Sequence, residues 1–238
     1  LHSYTSWNIN DIEEEFEKAL SAGKDVLFTC LSSGISSTIN NAFVCKEEMQ
    51  EKYPDAEICV FDSICASGGH GLLIYHAIEN KKKGMSVKEN MQALEELKHR
   101  IVHKFTVDDL TYLQRGGRIS KTAAVIGGMI QLKPVLHVDT EGRLAAESKV
   151  RGRKKALNQL LAEMDICTGG YADKQDVVLI CHADCPEDAE YVRAKVEEKY
   201  HPNKIIMSEV GPIVGAHVGP GTMVLIFEGD TGSPRPGR

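Results

Sequence analysis

Apolar residues recur along the chain in two rhythms. Ile12, Phe16 and Leu20 fall every four residues between positions 10 and 23, acids fill the first turn and Gly23 can close it, which predicts a helix. VLFTCLS (26–32) is a short apolar run suited to a buried strand, and EICVFDS (57–63) repeats it. Helices are expected at 40–53 and 71–84, and Val87, Met91, Leu94, Leu97 and Ile101 line a further helical face. Strand then helix, twice over, argues for a parallel α/β layer in the first hundred residues.

The second half has a different rhythm. Segments 108–114 and 121–129 read as helices, and 131–139 and 142–150 as strands joined by a turn at 140–142, an antiparallel hairpin. A helix at 153–164, a strand at 176–184 and a helix opened by Pro186 and running to Tyr200 follow. Strands at 204–210 and 222–228 flank a glycine-rich loop. The expected fold class is α/β in two domains, a parallel first domain at 1–102 and a mixed or antiparallel second at 103–228. The Gly- and Pro-rich tail 229–238 reads as a loose end.

Charge narrows the field. With 28 basic and 34 acidic residues among 238, the net charge of −6 carries no footprint for nucleic acid. No apolar run approaches the roughly 20 residues that span a bilayer, and no signal peptide is read at the start. Seven cysteines, an odd number without a CxxC, fit a reducing cytoplasm. Cys181, His182 and Cys185 form a weak metal candidate beside the simpler reading of packed thiols at a strand end, and no metal is expected.

Candidate chemistry gathers in loops. In LSSGISSTINNA (31–42) a strand ends, Gly34 allows a tight turn, and Ser36, Ser37 and Thr38 stand where a helix begins. That position suits an anion, or an ordinary cap. The lysine of a P-loop is absent. DSICASGGHGLL (62–73) repeats the logic with Ser67 and Gly68. Arg118, in QRGGRIS, suits an anion or a structural salt bridge. His217, in the loop GPIVGAHVGPGT, is placed to donate to a ligand oxygen or to backbone. AAVIGGMIQLKPVL (123–136) is core, or a wall for an apolar chain. KVRGRKK (149–155) puts Arg151 and Arg153 at a helix start, where positive charge is unfavourable, so a partner surface is a competing reading to a solvated face. No nucleophile has a convincing base.

Together these segments resemble the DegV family of fatty acid-binding proteins. Thr5–Ser6 resembles its Thr-Ser pair. SSGISSTINNA resembles its Ser-Gly-Thr loop, with Ser37 where glycine is usual. LTYLQRGGRIS, QLKPVL and KVRGRKKAL resemble its central signature, and GPIVGAHVGPG its C-terminal loop. The resemblance implies two α/β domains with a lipid between them. It implies an acyl tail in an apolar tunnel and a carboxylate met by Thr5, Ser36, Thr38 and His217, with Ser6, Ser37, Ser67, Gly68 and Arg118 in nearby loops. It also implies presentation of a long-chain fatty acid, for example C16–C18, to a separate fatty acid kinase, with no catalysis by the chain itself and no other cofactor. The family has a longer N-terminal segment that would add a strand to the first domain. The competing reading is a phosphotransferase-like enzyme that binds a phosphorylated substrate at the two Ser/Gly loops. A third is a regulatory protein that uses KVRGRKK as a contact surface.

Overall fold

The computed structural model describes residues 7–120 and 132–230. Its first helix starts where Asn8 Oδ1 accepts the Asp11 N–H at 3.0 Å, and α1 (Ile9–Leu20) then buries Ile12, Phe16 and Leu20. Next come β1 (Val26–Cys30), α2 (Thr38–Lys52), β2 (Ile58–Asp62), α3 (Gly68–Lys82) and α4 (Val87–Leu97). β1 and β2 pair in parallel, from Val26 opposite Ile58 to Cys30 opposite Asp62. α1 and α2 cover one face of this small sheet, and α4 packs on the other.

The chain continues through β3 (Ile101–Thr106), α5 (Thr111–Arg115), β4 (Leu132–Val138), β5 (Leu144–Arg151) and α6 (Arg153–Thr168). It ends with β6 (Val177–His182), α7 (Pro186–Tyr200), β7 (Lys204–Glu209), α8 (Pro212–Val218) and β8 (Met223–Glu228). Six strands form a mixed sheet ordered β5-β4-β3-β8-β6-β7, in which β6 and β7 are parallel and the other pairs antiparallel. α6 and α7 pack on one face around Leu160, Met164, Val192 and Phe227. On the other face α3 packs on β3, β6 and β8, so Leu72 and Leu73 share a core with Phe105, Leu179 and Ile226.

Two expectations are corrected. Ile101 does not continue the helix of Val87: α4 stops at Leu97, a 3₁₀ turn follows (Lys98–Arg100), and Ile101 opens β3. All six residues of IVHKFT are buried. His103, Lys104 and Thr106 break the apolar run that marks the other central strands, which hid this one. Val102, where the sequence reading divides the chain, is its second residue. The loop around His217 is the short helix α8, begun by Pro212; its glycines at 211, 215 and 219 masked the helical period. The segment 121–131, with most of the apolar run at 123–136, lies outside the described residues, as do Thr5, Ser6 and the tail from 231.

The β4–β5 turn locks the two sheets together. Asp139 Oδ1 accepts the N–H groups of Glu141 and Arg143, both at 2.9 Å, and Gly142 turns at φ +72°. A Cβ on Gly142 would stand 1.9 Å from Ser32 Oγ, in the loop after β1. Gly142→Ala therefore meets both a disfavoured backbone and an overlap. It should cost about 2–4 kcal/mol, read by urea unfolding. A loss within ±0.5 kcal/mol, the usual range for surface changes, would show that this docking does not matter.

Candidate functional site

The loops after β1 and β2 leave the carboxyl ends of two parallel strands, the usual ligand position in open α/β sheets. They face the α3 side of the larger sheet across a cleft whose open space, mouth included, is about 800 Å³. The small sheet contributes Leu31, Ile35 and Ser36 from one loop and Ala66 and Ser67 from the other. The large sheet contributes His103 and Phe105 of β3, Val138 of β4, Leu144 of β5 and Val224 of β8. Leu113, Arg118 and the inner side of α8, with Val214, His217 and Val218, help close it. Of the eighteen described residues that line it, twelve are apolar.

Among the described residues, the polar lining is uncharged apart from one guanidinium. Ser36 is buried; its Oγ accepts the Thr38 N–H at 3.3 Å and lies 3.0 Å from Thr38 Oγ1. His217 reaches the cleft from α8, and its ring occupies the space above Gly116, where a Cβ would sit 2.2 Å from Nδ1. Among the described residues no group hydrogen-bonds this ring. Burial, and secondarily the positive charge of Arg118, hold its pKa below the ordinary histidine value, so at neutral pH it is an uncharged imidazole with one N–H to give.

Arg118 forms no salt bridge among the described residues. Its Nε and Nη2 donate to the Ile35 carbonyl at 3.2 and 3.1 Å, and Nη1 donates to Gly116. Its fork thus ties the loop that carries Ser36 to the turn on which His217 rests.

Other expected positions fall elsewhere. Thr38 opens α2 with its Oγ1 accepting the Trp7 N–H at 3.3 Å, and Ser37 is the exposed residue before it; neither lines the cleft. Gly68 begins α3, where a Cβ would stand 2.6 Å from Cys181 Sγ, and it supports the wall from behind. Arg151 ends β5 on the surface. Arg153, the other expected partner-surface residue, opens α6. Its guanidinium bonds Asp188 at 2.7 Å and Asp108 at 3.4 Å, which offsets the unfavourable charge at the α6 N-terminus internally. Cys181 faces α3 and Cys185 Sγ donates to the Thr222 carbonyl at 3.4 Å. Among the described residues no three His, Cys, Asp or Glu side chains converge to hold a metal.

Two polar cleft residues escaped the sequence reading. Thr222 donates to the Val218 and Gly219 carbonyls at 3.1 and 2.9 Å and so closes α8. His103, 3% exposed, lies in the unrecognised β3. The period-two pairing of His103 with Phe105 was the available signal for it.

Comparison with known proteins places this architecture. A DegV domain-containing protein of Clostridium perfringens, CPE0026, is 41% identical over 221 residues, covering 93% of this chain and 75% of that protein. A DegV family protein from Thermus thermophilus, whose structure is described as showing fatty acid binding, is 26% identical with a TM-score of 0.83, covering 95% of this chain and 78% of that one. The Streptococcus pneumoniae Fatty Acid Kinase (Fak) B3 protein, solved loaded with linoleic acid, shares the fold at a TM-score of 0.86 and 21% identity, covering 95% and 78%. The family model described as "Uncharacterised protein, DegV family" matches residues 3–230, and with this fold and these relatives the chain belongs to the DegV family.

Proposed function

We propose that the chain binds a long-chain fatty acid in this cleft and presents its carboxylate to a separate kinase, without catalysing the transfer itself. The observation that carries this reading is the pairing of an apolar cleft with uncharged donors from both sides, Ser36 from the small sheet and His217 from α8. Each buried CH₂ contributes about 0.8 kcal/mol, so a sixteen-carbon tail supplies on the order of 10 kcal/mol before ordering costs. Neutral donors then spare the carboxylate the penalty of an unpaired buried charge. The lipid-binding Thermus relative supports the ligand class. The kinase step rests on the family resemblance and, at the level of fold alone, on the protein named Fak B3. A kinase using ATP would place the chain in the cytoplasm, in keeping with its seven free thiols.

The phosphotransferase reading is the weaker one. Phosphate demands cations or metal, and the single cationic side chain among the cleft's described residues is committed to two backbone carbonyls.

Denaturing mass spectrometry of an organic extract of the purified protein tests the ligand class. A stoichiometric C14–C18 acid is expected, whereas an empty protein that takes up nucleotide would overturn the reading. Ser36→Ala and His217→Ala each remove a donor to a charged group, worth about 1.5–3 kcal/mol. Each should raise the Kd for palmitate about ten- to a hundredfold. Unchanged Kd values in both variants would reject these head-group assignments.

A further inference from the structure

His103 is the buried polar group that the lipid reading leaves without a role. Its ring projects from β3 of the large sheet into the wall of the cleft, and Nε2 lies 3.2 Å from both the N and the O of Ala66, in the loop after β2 of the small sheet. The ring fits because residue 69 has no side chain: a Cβ there would stand 1.9 Å from Nε2. The next residue, Ser67, also lines the cleft and is held at φ +47°, ψ −129°. A serine in that region costs on the order of 1–3 kcal/mol and persists only where the surroundings fix it. Its side chain bonds the Cys181 thiol and its carbonyl accepts the Gly71 N–H at 3.4 Å, and the imidazole on Ala66 adds a tie at the preceding residue from the larger sheet.

We propose that His103 is a positioning residue: through its hydrogen bond to the Ala66 backbone it holds the strained Ala66–Ser67 turn in the cleft wall, and by that turn sets the affinity for the acyl ligand. In the tautomer with an unprotonated Nε2, that atom accepts the Ala66 N–H, and the ring makes a second backbone contact at Ile101. Burial holds the imidazole neutral, with its pKa lowered to about 4, and a neutral ring is what an N–H donor at Nε2 requires.

The ligand arm of this inference rests on the fatty acid reading, and the turn arm does not, so the test has two readouts. Amide hydrogen exchange at residues 67–69 is followed in the lipid-free protein, and palmitate affinity is measured beside it. His103→Leu should speed exchange at those amides about tenfold and raise the Kd for palmitate about tenfold, the effects of one lost hydrogen bond. His103→Gln, whose carbonyl can accept the Ala66 N–H, should restore both to within about threefold of the parent. Gly69→Ala keeps the imidazole but displaces it, and should reproduce the leucine result even if His103→Leu does not fold. Unchanged exchange in the leucine and alanine variants would overturn the proposal. So would faster exchange with unchanged affinity, or a loss of affinity that follows global stability and is not rescued by glutamine. If the parent protein binds no palmitate, the lipid reading fails, and the exchange arm still decides whether His103 holds the turn.

Discussion

Lys104→Met is expected to cost about 3–5 kcal/mol of folding stability, the usual penalty for leaving buried charges without their partner. Lys104 has no exposed surface. Strand alternation turns it away from the cleft, between β5 and α6, where Nζ meets Glu147 Oε2 at 2.5 Å and Glu163 Oε2 at 3.2 Å. Gln159 adds a bond to Glu163 at 2.8 Å, and His137 approaches Glu147 at 3.6 Å. Burial pushes the Glu147 pKa up, but hydrogen bonds from His137 and Lys104 outweigh it and hold the group below the ordinary carboxylate value. Methionine fills the space and leaves two carboxylates facing each other in an apolar layer. Against a usual stability of about 5–15 kcal/mol, the melting temperature should fall by roughly 10 °C or more. A protonated carboxyl no longer needs the cation, so the gap between variant and parent should narrow as pH falls toward 5. A melting temperature within about 3 °C of the parent at pH 7.5, less than the shift from 1–2 kcal/mol, would show that the network is dispensable.

The second large effect is the response to acid. Burial lowers the pKa of His70 and of His103 to about 4 each. His70 bridges α3 to β1 through Thr29 Oγ1 at 2.9 Å, and His103 bridges β3 to Ala66. An unfolded histidine takes its proton near pH 6.5. Because the folded values are depressed, the stabilisation is complete above that pH and is lost as pH falls from about 6.5 toward 4. At about 1.4 kcal/mol per pH unit for each group, the two together should remove on the order of 6 kcal/mol by pH 4. Urea unfolding at pH 7.5, 6, 5 and 4.5 measures this, and the difference between the parent and a His70→Gln, His103→Gln protein separates it from carboxylate titration. Parallel pH profiles for the two proteins would refute the assignment.

The sequence made local features plain and long-range ones obscure. α7 was legible from Pro186 to Tyr200 because proline at the first helical position marks its start. β1, β2, β6 and β8 were legible because each is an apolar run. β3 was not, because its polar residues are explained by partners distant in the chain: Glu163 for Lys104, and Ala66 for His103. The cleft follows the same division. Ser36, Ser67, Arg118 and His217 stood out by loop chemistry, and the fold brings all four to one cavity. That Ser37 and Thr38 turn aside depends on the exact start of α2. That Arg153 is held by two aspartates depends on where α7 and α5 settle, which no local spacing encodes.

α3 lies against both sheets, and this makes the smaller lobe a tenant of the larger. Severed near residue 100, the first half would turn Leu72 and Leu73 outward to water, and the remaining half would lose the loops that close one side of the cleft. A cut between the two sheets would therefore strip cover from apolar surface on both sides of it at once.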